Sequence, residues 1–417
     1  MSKNISLNYN PEIKTNIAIV CALGMLAGFL LSRALLSAST IAFGINGLIG
    51  VHPRHWFRNK WWLLGVAWVG IYVVSGLWSD NIPQWNERVS VKLPVLLLPL
   101  SFSLLPAFSE KQLRMFTVGA AILFLGSVGY SIYFLVSDPG YYIEQYRFSK
   151  VMPTLASHDY IRYSLSISLF IIWCFFMVPI LTNKPAKLFI YISLVILCVY
   201  LHVVAVKTGL LVFYLFVLLY AVYIVFKRKP FTGLAILLLI VLFAISAYKY
   251  VPTFEQKVDY FRYSWKVFEE GHFDSDYSDI GRLVSYDVTL KILPDHLWAG
   301  TGIGDMHDVM REGYNKYYPS VPAFQQLKPH NQFLVVALGC GLPALLLFLV
   351  WIFYPLKWVH RDRSGFFLFS TWFVMFVPLM VEPFLELQFG VYLYLFFLLW
   401  MAHAMKLQSA EVKNTNK

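Results

Sequence analysis

The chain has 417 residues, of which 58% are hydrophobic and 18% aromatic, while only 14% are charged; the formal net charge is +11. Soluble domains carry roughly 25% charged and 45–50% apolar residues, so this composition excludes a water-soluble globule. Apolar runs recur that are long enough to cross a hydrocarbon core roughly 30 Å thick. Stretches such as 236–247 (ILLLIVLFAISA) do not alternate between apolar and polar residues, which excludes a transmembrane barrel. We therefore predict an all-α, polytopic membrane protein.

The hydropathy pattern predicts about twelve membrane-spanning helices. They lie near residues 16–33, 35–51, 61–78, 93–108, 116–137, 160–181, 188–206, 210–226, 232–250, 331–355, 365–381 and 389–405. Lys and Arg cluster in five short loops that alternate with less basic ones, near residues 54–60, 111–114, 184–187, 227–229 and 357–363. The positive-inside rule puts these loops and both termini in the cytoplasm. The positive charge therefore reflects topology, and membrane lipids rather than nucleic acid are the expected partners.

The segment 251–329 is too polar to span the membrane and is predicted to emerge on the non-cytoplasmic side. Its stretch 280–293 (IGRLVSYDVTLKIL) has apolar residues at helical spacing, which predicts short helices lying against the membrane surface. No linker separates a soluble domain. We interpret residues 1–417 as one membrane domain with an elaborated outer loop between the ninth and tenth helices.

Ionisable groups gather at the predicted outer face. They are Arg88 and Lys92 just before the fourth helix, His158 and Arg162 at the start of the sixth, Lys207 in the turn between the seventh and eighth, Arg282 in the long segment, and His330 at the start of the tenth. Taken singly, each is typical of a side chain that reaches for the interface. Together, they match the needs of a lipid-linked diphosphate, because guanidinium groups neutralise its oxygens and a neutral imidazole can accept a hydroxyl proton.

Acidic residues near this face allow two interpretations of their role. Glu382 and Glu386 are predicted one turn apart on one face of the eleventh helix, where they pair with the cations or position a sugar hydroxyl. Asp305 is the last residue of the run GTGIGD, residues 300–305. The run lacks the flanking strand and helix of a dinucleotide-binding site. We interpret it as a flexible turn that shapes the site. Asp274 and Asp276 have the spacing of a metal motif but are interpreted as a solvated turn, so no metal site is predicted.

Two runs carry a resemblance to a known family. GRLVSYDVTLKILPDHLWAGTGIGD, residues 281–305, and PHNQFLVVALGCG, residues 329–341, resemble the O-antigen ligase and polymerase superfamily of bacterial envelope glycosyltransferases. In that family an Arg opens the first block, and a His followed by ten residues and a Gly forms the second. Here these are Arg282, His330 and Gly341, and the run EPFLELQFG, residues 382–390, is also similar.

The resemblance implies a GT-C-like fold and an inverting, metal-independent transfer that needs no cofactor. The donor would be a glycan on undecaprenyl diphosphate in the inner membrane, used on the periplasmic side. The implied acceptor is lipid A–core for a ligase, another carrier-linked glycan for a polymerase, or a protein hydroxyl for a third branch. A lipid-linked glycan transporter is the competing class, but transporters place polar sites near the bilayer midplane, where this chain is nearly free of charge.

Site roles follow from this resemblance and from charge. His330 is predicted to be the base, and Arg282 with Lys207 to hold the leaving diphosphate, with Arg88, Arg162 and His158 as further contacts. The family usually has an Arg where this chain has Lys207. Lysine keeps the charge but loses the bidentate fork.

Overall fold

The computed structural model describes residues 10–148, 150–156, 159–270 and 278–415; His158, Asp274 and Asp276 therefore lie outside the described residues. Within these ranges the chain forms helices and turns, and no β-strand occurs. The helices are α1 (Pro11–Leu31), α2 (Arg33–Leu48), α3 (Lys60–Val74), α4 (Ile82–Leu104), α5 (Glu110–Ser137), α6 (Pro139–Gln145), α7 (Tyr160–Met177), α8 (Lys184–Val204), α9 (Lys207–Phe226), α10 (Pro230–Tyr250), α11 (Pro252–Glu269), α12 (Ser278–Ile292), α13 (Met306–Tyr317), α14 (Gln332–Phe353), α15 (Arg363–Val381) and α16 (Gln388–Thr415).

Each of the twelve predicted spanning segments is a helix. Among the described residues, ten helices are long and apolar enough to cross a membrane, which confirms a polytopic all-α membrane protein. The other two are α2, which has only 16 residues, and α4, whose first half contains Glu87, Arg88 and Lys92. The segment 251–329 contributes α11, α12 and α13, and α12 covers the stretch predicted to be helical.

The start of α4 differs from the prediction. The helix begins at Ile82, with the Asn81 side chain accepting a hydrogen bond from the backbone N–H of Gln84 and with proline in the first turn. Arg88 and Lys92 therefore lie inside the helix, not just before it. The prediction began the helix after the last charge, whereas both cations are buried because they have partners from another part of the chain.

The most central helices are α16 and α7. In their spanning windows 89% and 83% of residues are buried, whereas in α10 only 11% are, so α10 lies at the periphery and presents its apolar side chains to lipid. The start of α16 and the start of α7 meet at the end of the molecule that also holds α12, through contacts described below.

A break in α14 connects that helix to the segment 251–329. Gly341 has φ 81° and ψ 175°, and a Cβ there would lie 2.1 Å from the Trp298 carbonyl oxygen. The backbone N–H of Leu342 donates to the Leu297 oxygen at 2.8 Å. Only glycine adopts this conformation in so little space. The structure therefore explains why residue 341, which is part of the family resemblance, is a glycine.

The glycine run 300–305 is fixed on both sides. The Thr301 N–H donates to the Leu338 oxygen of α14 at 2.8 Å, and the Asp305 carboxylate accepts from the backbone N–H groups of Asp80 at 2.9 Å and Asn81 at 2.7 Å. The run was predicted to be a flexible turn. Instead, these bonds clamp it between the start of α4 and the break in α14.

Candidate active site

Arg282 and Glu382 form an ion pair between α12 and the end of α15. The Arg282 Nη2 atom lies 2.5 Å from Glu382 Oε1, and the carboxyl group is buried. Burial raises the pKa of Glu382, and the positive charges of Arg282 and Arg162 oppose that shift. Two of the predicted site cations therefore meet at one predicted carboxylate.

Arg162 lies in the first turn of α7 and is buried. Its Nη1 atom donates to both oxygens of Asp159 at 3.0 Å, and its guanidinium group lies 5.3 Å from the centre of the Phe384 ring. The Nε atom is buried and has no hydrogen-bond partner among the described residues. Burying a hydrogen-bond donor without a partner costs roughly 1–3 kcal/mol of stability. This N–H group is therefore suited to donate a hydrogen bond to a ligand.

His330 is anchored by its backbone to α12. Its N–H donates to Ser285 Oγ at 3.3 Å, and its carbonyl oxygen accepts from the Tyr286 hydroxyl at 2.9 Å. Ser285 and Tyr286 follow Arg282 by three and four residues, so all three lie on one face of α12. This face therefore sets the position of His330 beside the Arg282 guanidinium group.

The imidazole of His330 is neutral at pH 7. Burial, followed by the charges of Arg282 and Lys328, lowers its pKa to about 4. Its Nδ1 atom is buried without a hydrogen-bond partner in the part of the chain that the structure describes. Helix α14 begins at Gln332 and the Asn331 side chain caps it, so His330 lies immediately before the cap, close to its predicted place at the helix start. Burial and the neighbouring cations favour its neutral form.

Glu386 is the centre of a second, deeper cluster. Its Oε1 atom accepts hydrogen bonds from Lys92 Nζ at 2.7 Å, Gln332 Nε2 at 2.8 Å and the Tyr72 hydroxyl at 3.1 Å. Both Lys92 and Glu386 are almost fully buried. Burial raises the pKa of Glu386, but the attraction of Lys92 and Arg88 outweighs it and the net shift is downward. The carboxylate thus holds α3, α4 and α14 together as an anion.

Arg88 and Lys328 connect the two clusters. Arg88 donates through Nη1 to the Glu386 carbonyl oxygen at 3.1 Å, and Lys328 is close enough to interact electrostatically with Arg88, Glu386 and His330. Burial, with help from Arg88, lowers the pKa of Lys328. Lys328 was not among the predicted site residues. Its position two residues before His330, in the run LKPH, is the sequence feature that could have indicated it.

The predicted placement of the two glutamates on one helix face is wrong. Helix α15 ends at Val381; Glu382 has extended backbone (φ −146°, ψ 147°), and Glu386 lies in a short 3₁₀ turn, Phe384–Glu386. Pro383 disfavours a helical conformation for the residue before it. The chain therefore turns between the two carboxylates, and each joins a different cluster. Both pair with cations, the first of the two roles considered for them.

Lys207 lies in a different environment from Arg282. It is the first residue of α9 rather than part of the turn, which is made by Ala205 in a left-handed conformation (φ 47°). Its Nζ atom is 4.9 Å from the ring centre of Phe261 and 5.5 Å from that of Tyr260, both on α11. The Lys207 ammonium group therefore makes cation–π contacts with the aromatic side chains of α11. Tyr160, at the start of α7, interacts electrostatically with Tyr260, Arg282 and Glu382, and so lies between the two regions.

No group of three or more His, Cys, Asp or Glu side chains that could hold a metal ion occurs among the described residues. The clusters instead combine Arg, Lys, His and two buried carboxylates. The Arg and Lys side chains are suited to bind a large anion rather than a cation, and the His side chain can act as a proton acceptor.

The fold defines a multi-pass α-helical membrane protein. The sequence model of the O-antigen ligase family matches residues 170–349, which confirms the resemblance to the O-antigen ligase and polymerase superfamily. The match includes Lys207, Arg282, His330 and Gly341, whereas Arg88, Arg162, Glu382 and Glu386 lie outside it. No match to a curated protein is found. Activity of the ligase or polymerase type, with a lipid-linked glycan and a glycan acceptor as partners in general, is what this family implies.

Proposed function

We propose that the chain is an O-antigen ligase-like glycosyltransferase that moves a glycan from undecaprenyl diphosphate to lipid A–core on the periplasmic side of the inner membrane. The observation that carries this proposal is the position of the His330 imidazole next to Arg282, where its buried Nδ1 atom has no hydrogen-bond partner among the described residues and burial lowers its pKa to about 4. A neutral imidazole can accept a proton, and the adjacent cations can balance a departing diphosphate.

The reaction is an inverting displacement without a metal ion. The acceptor hydroxyl oxygen attacks the anomeric carbon as the bond from that carbon to the diphosphate oxygen breaks. The hydroxyl proton passes to His330, and both electrons of the broken bond leave with undecaprenyl diphosphate. The base is held by Ser285 and Tyr286 through its backbone, so its imidazole ring remains available to the acceptor.

The leaving group is held by cations that already lie near one another. Arg282 and Lys328 lie near His330, Arg162 joins Arg282 near Glu382, and Arg88 extends the positive charge toward α4. Counter-charges fixed before the reaction act on the transition state without having to reorganise. Lys207 is proposed as a further contact to the diphosphate or the sugar, at the α11 side of the site.

A groove beside this cluster suits the isoprenoid chain of the donor. It has a volume of about 370 Å³ and lies between α2, α4 and α16, with mainly apolar walls that include Leu36, Leu97 and Tyr392. Glu87 and Gln388, which also line it, lie within two residues of Arg88 and Glu386 along the chain. Such a groove would keep the hydrocarbon chain out of water while the diphosphate reaches the cations.

A transfer assay with the purified protein tests the proposal and separates its branches. The donor is a glycan on undecaprenyl diphosphate, offered with lipid A–core, with a second carrier-linked glycan, or with a serine-containing acceptor protein. Transfer to lipid A–core alone supports the ligase. Transfer to the second glycan identifies a polymerase, and transfer to protein identifies an oligosaccharyltransferase. Uptake of the intact donor into vesicles without any transfer would identify a transporter and contradict the proposal.

The periplasmic location is tested with reporters. Alkaline phosphatase fused after Lys316, within the segment 251–329, should be active, whereas a fusion after Arg228 should be inactive, because the basic loops remain in the cytoplasm. The reverse result would place His330 and Arg282 on the cytoplasmic side.

A further inference from the structure

A cavity of about 750 Å³ opens at the end of the molecule opposite His330. It is bordered by the 3₁₀ helix Pro53–Arg58, the turn that follows α14, and the far end of the α16 span. Helices α14 and α16 both start at the candidate active site, so their far ends reach the other membrane face. The volume of the cavity is within the range of ligand sites in proteins, roughly 300–1,000 Å³.

The rim of the cavity is basic. His55, Arg58, His360 and Lys406 line it and are exposed, and none of the residues that line the cavity is Asp or Glu. A fifth basic side chain, His403, is buried, and its Nε2 atom is 2.8 Å from the Pro106 carbonyl oxygen. The exposed charges of Arg58 and Lys406 therefore have no acidic neighbour within the cavity wall to neutralise them.

The floor of the cavity is apolar. Phe102, Leu368 and Leu399 contribute to it and are buried in the helix bundle, with the Trp358 side chain beside them. A hydrated inorganic anion gains little from such a floor, since burying apolar surface requires an apolar ligand. The combination of a cationic rim and an apolar floor selects an amphiphile with a negative head.

We propose that this cavity is a binding site for an anionic phospholipid. Its phosphate lies on the rim, between Arg58 and Lys406, and one acyl chain enters the apolar floor. Basic pockets between membrane helices bind anionic lipid headgroups in this way, and each Lys or Arg near the membrane surface contributes roughly 1 kcal/mol of attraction. The site is independent of the glycan-transfer site, because it shares none of its residues.

The test measures binding of fluorescently labelled phosphatidylglycerol to the full-length protein in neutral detergent. The variant Arg58→Gln/Lys406→Gln removes both fixed charges from the rim. The matched control, Lys111→Gln/Lys184→Gln, removes two charges from other exposed positions predicted to lie on the same face. We expect the rim variant to bind at least about tenfold more weakly, from the loss of two attractive charges, and the control to bind like wild type.

A second variant tests the acyl-chain part of the site. Ser103 lines the cavity and is exposed, and its hydroxyl donates to the Leu100 carbonyl oxygen of its own helix. Ser103→Trp should fill the cavity and weaken phosphatidylglycerol binding while every rim cation remains. Glycerol 1-phosphate should not displace the lipid, and phosphatidylcholine should bind more weakly.

Three results would overturn the proposal. Equal weakening by the rim variant and the control would mean diffuse surface charge. Unchanged binding by Ser103→Trp, or displacement by glycerol 1-phosphate, would mean a phosphate site without an acyl chain. Thermal unfolding of each variant provides the folding control, and Ser103→Trp decides alone if the rim variant is unstable.

Discussion

Arg282 and Glu382 are one hundred residues apart in sequence and are joined by an ion pair in which Nη2 and Oε1 are 2.5 Å apart. The pair links α12, which lies outside the membrane-spanning set, to the end of α15, which belongs to it. His330 is attached to the same face of α12. The position of the proposed base therefore depends on the contact between the segment 251–329 and the helix bundle.

The first prediction concerns this ion pair. Arg282→Ala should abolish transfer and also destabilise the protein by about 1–3 kcal/mol, because the buried Glu382 carboxylate loses its charged partner. Arg282→Ala/Glu382→Gln should recover much of the stability but no activity. Thermal unfolding and transfer are measured on the same preparations.

The matched control is Arg311→Ala on α13, where Arg311 pairs with Asp308 at the exposed surface. It should leave both stability and transfer close to wild type, since exposed pairs contribute little. Wild-type transfer by Arg282→Ala/Glu382→Gln would remove Arg282 from the site.

The second prediction concerns Lys207. If its ammonium group contacts the donor, Lys207→Ala should sharply reduce transfer, and Lys207→Arg should keep or raise it, because a guanidinium group can bind a phosphate through two hydrogen bonds. Lys249→Ala is the control: Lys249 also lies over an aromatic ring, that of Tyr250, at the end of α10. If Lys207→Ala transfers glycan at the wild-type rate at equal membrane abundance, Lys207 has a structural role beside Tyr260 and Phe261 and does not contact the donor.

The third prediction separates structure from chemistry in the deeper cluster. Lys92→Met should destabilise the protein by about 3–5 kcal/mol, because Glu386 remains buried and charged without its main partner. Lys92→Met/Glu386→Gln should be clearly more stable than Lys92→Met alone, since the amide no longer needs a cation. Thermal unfolding in detergent measures both. Arg114→Met, which breaks a partly exposed pair with Glu110, should cost about 1 kcal/mol or less.

A different outcome would change the role of Glu386. If Lys92→Met alone is as stable as wild type, the pair does not hold α3, α4 and α14 together. A role for Lys92 and Glu386 would then have to be sought in the reaction itself.

The membrane helices could be predicted from the sequence because a bilayer demands long apolar runs, and each predicted run is a helix. The start of α4 could not. Arg88 and Lys92 are polar in sequence, but Glu386 and its neighbouring carbonyl groups, nearly 300 residues away, allow their burial. A local hydropathy pattern carries no information about a partner at that distance.

The candidate site, too, could be predicted from the sequence only in part. Charge and the family resemblance pointed to Arg282, His330 and Arg162. The structure brings Arg282 and Arg162 to Glu382, and His330 lies near Arg282. Lys328 was overlooked, because its closeness to Arg88 arises only when α4 packs against the segment before α14. The prediction of one helix face for Glu382 and Glu386 failed at Pro383, whose effect on the residue before it is readable from sequence.

The fourth prediction is a pH dependence. Since the pKa of His330 in the free protein is lowered to about 4, the base form persists well below the ordinary value of 6.5. The acid limb of kcat/KM for the donor should therefore lie near pH 4, with activity lost as pH falls through it. A bound diphosphate adds negative charge beside the imidazole and raises its pKa, so the acid limb of kcat should lie at higher pH. Identical limbs for both quantities would indicate that the diphosphate does not lie near His330.

The most direct measurement of the central claim is glycan transfer by His330→Gln alongside binding of the carrier-linked donor. Glutamine can accept a hydrogen bond but cannot take the acceptor proton, so transfer should fall roughly 100- to 10,000-fold while donor binding is retained. His330→Ala should behave in the same way. Near wild-type transfer by His330→Gln would contradict the account, because His330 would then position the acceptor without serving as the base.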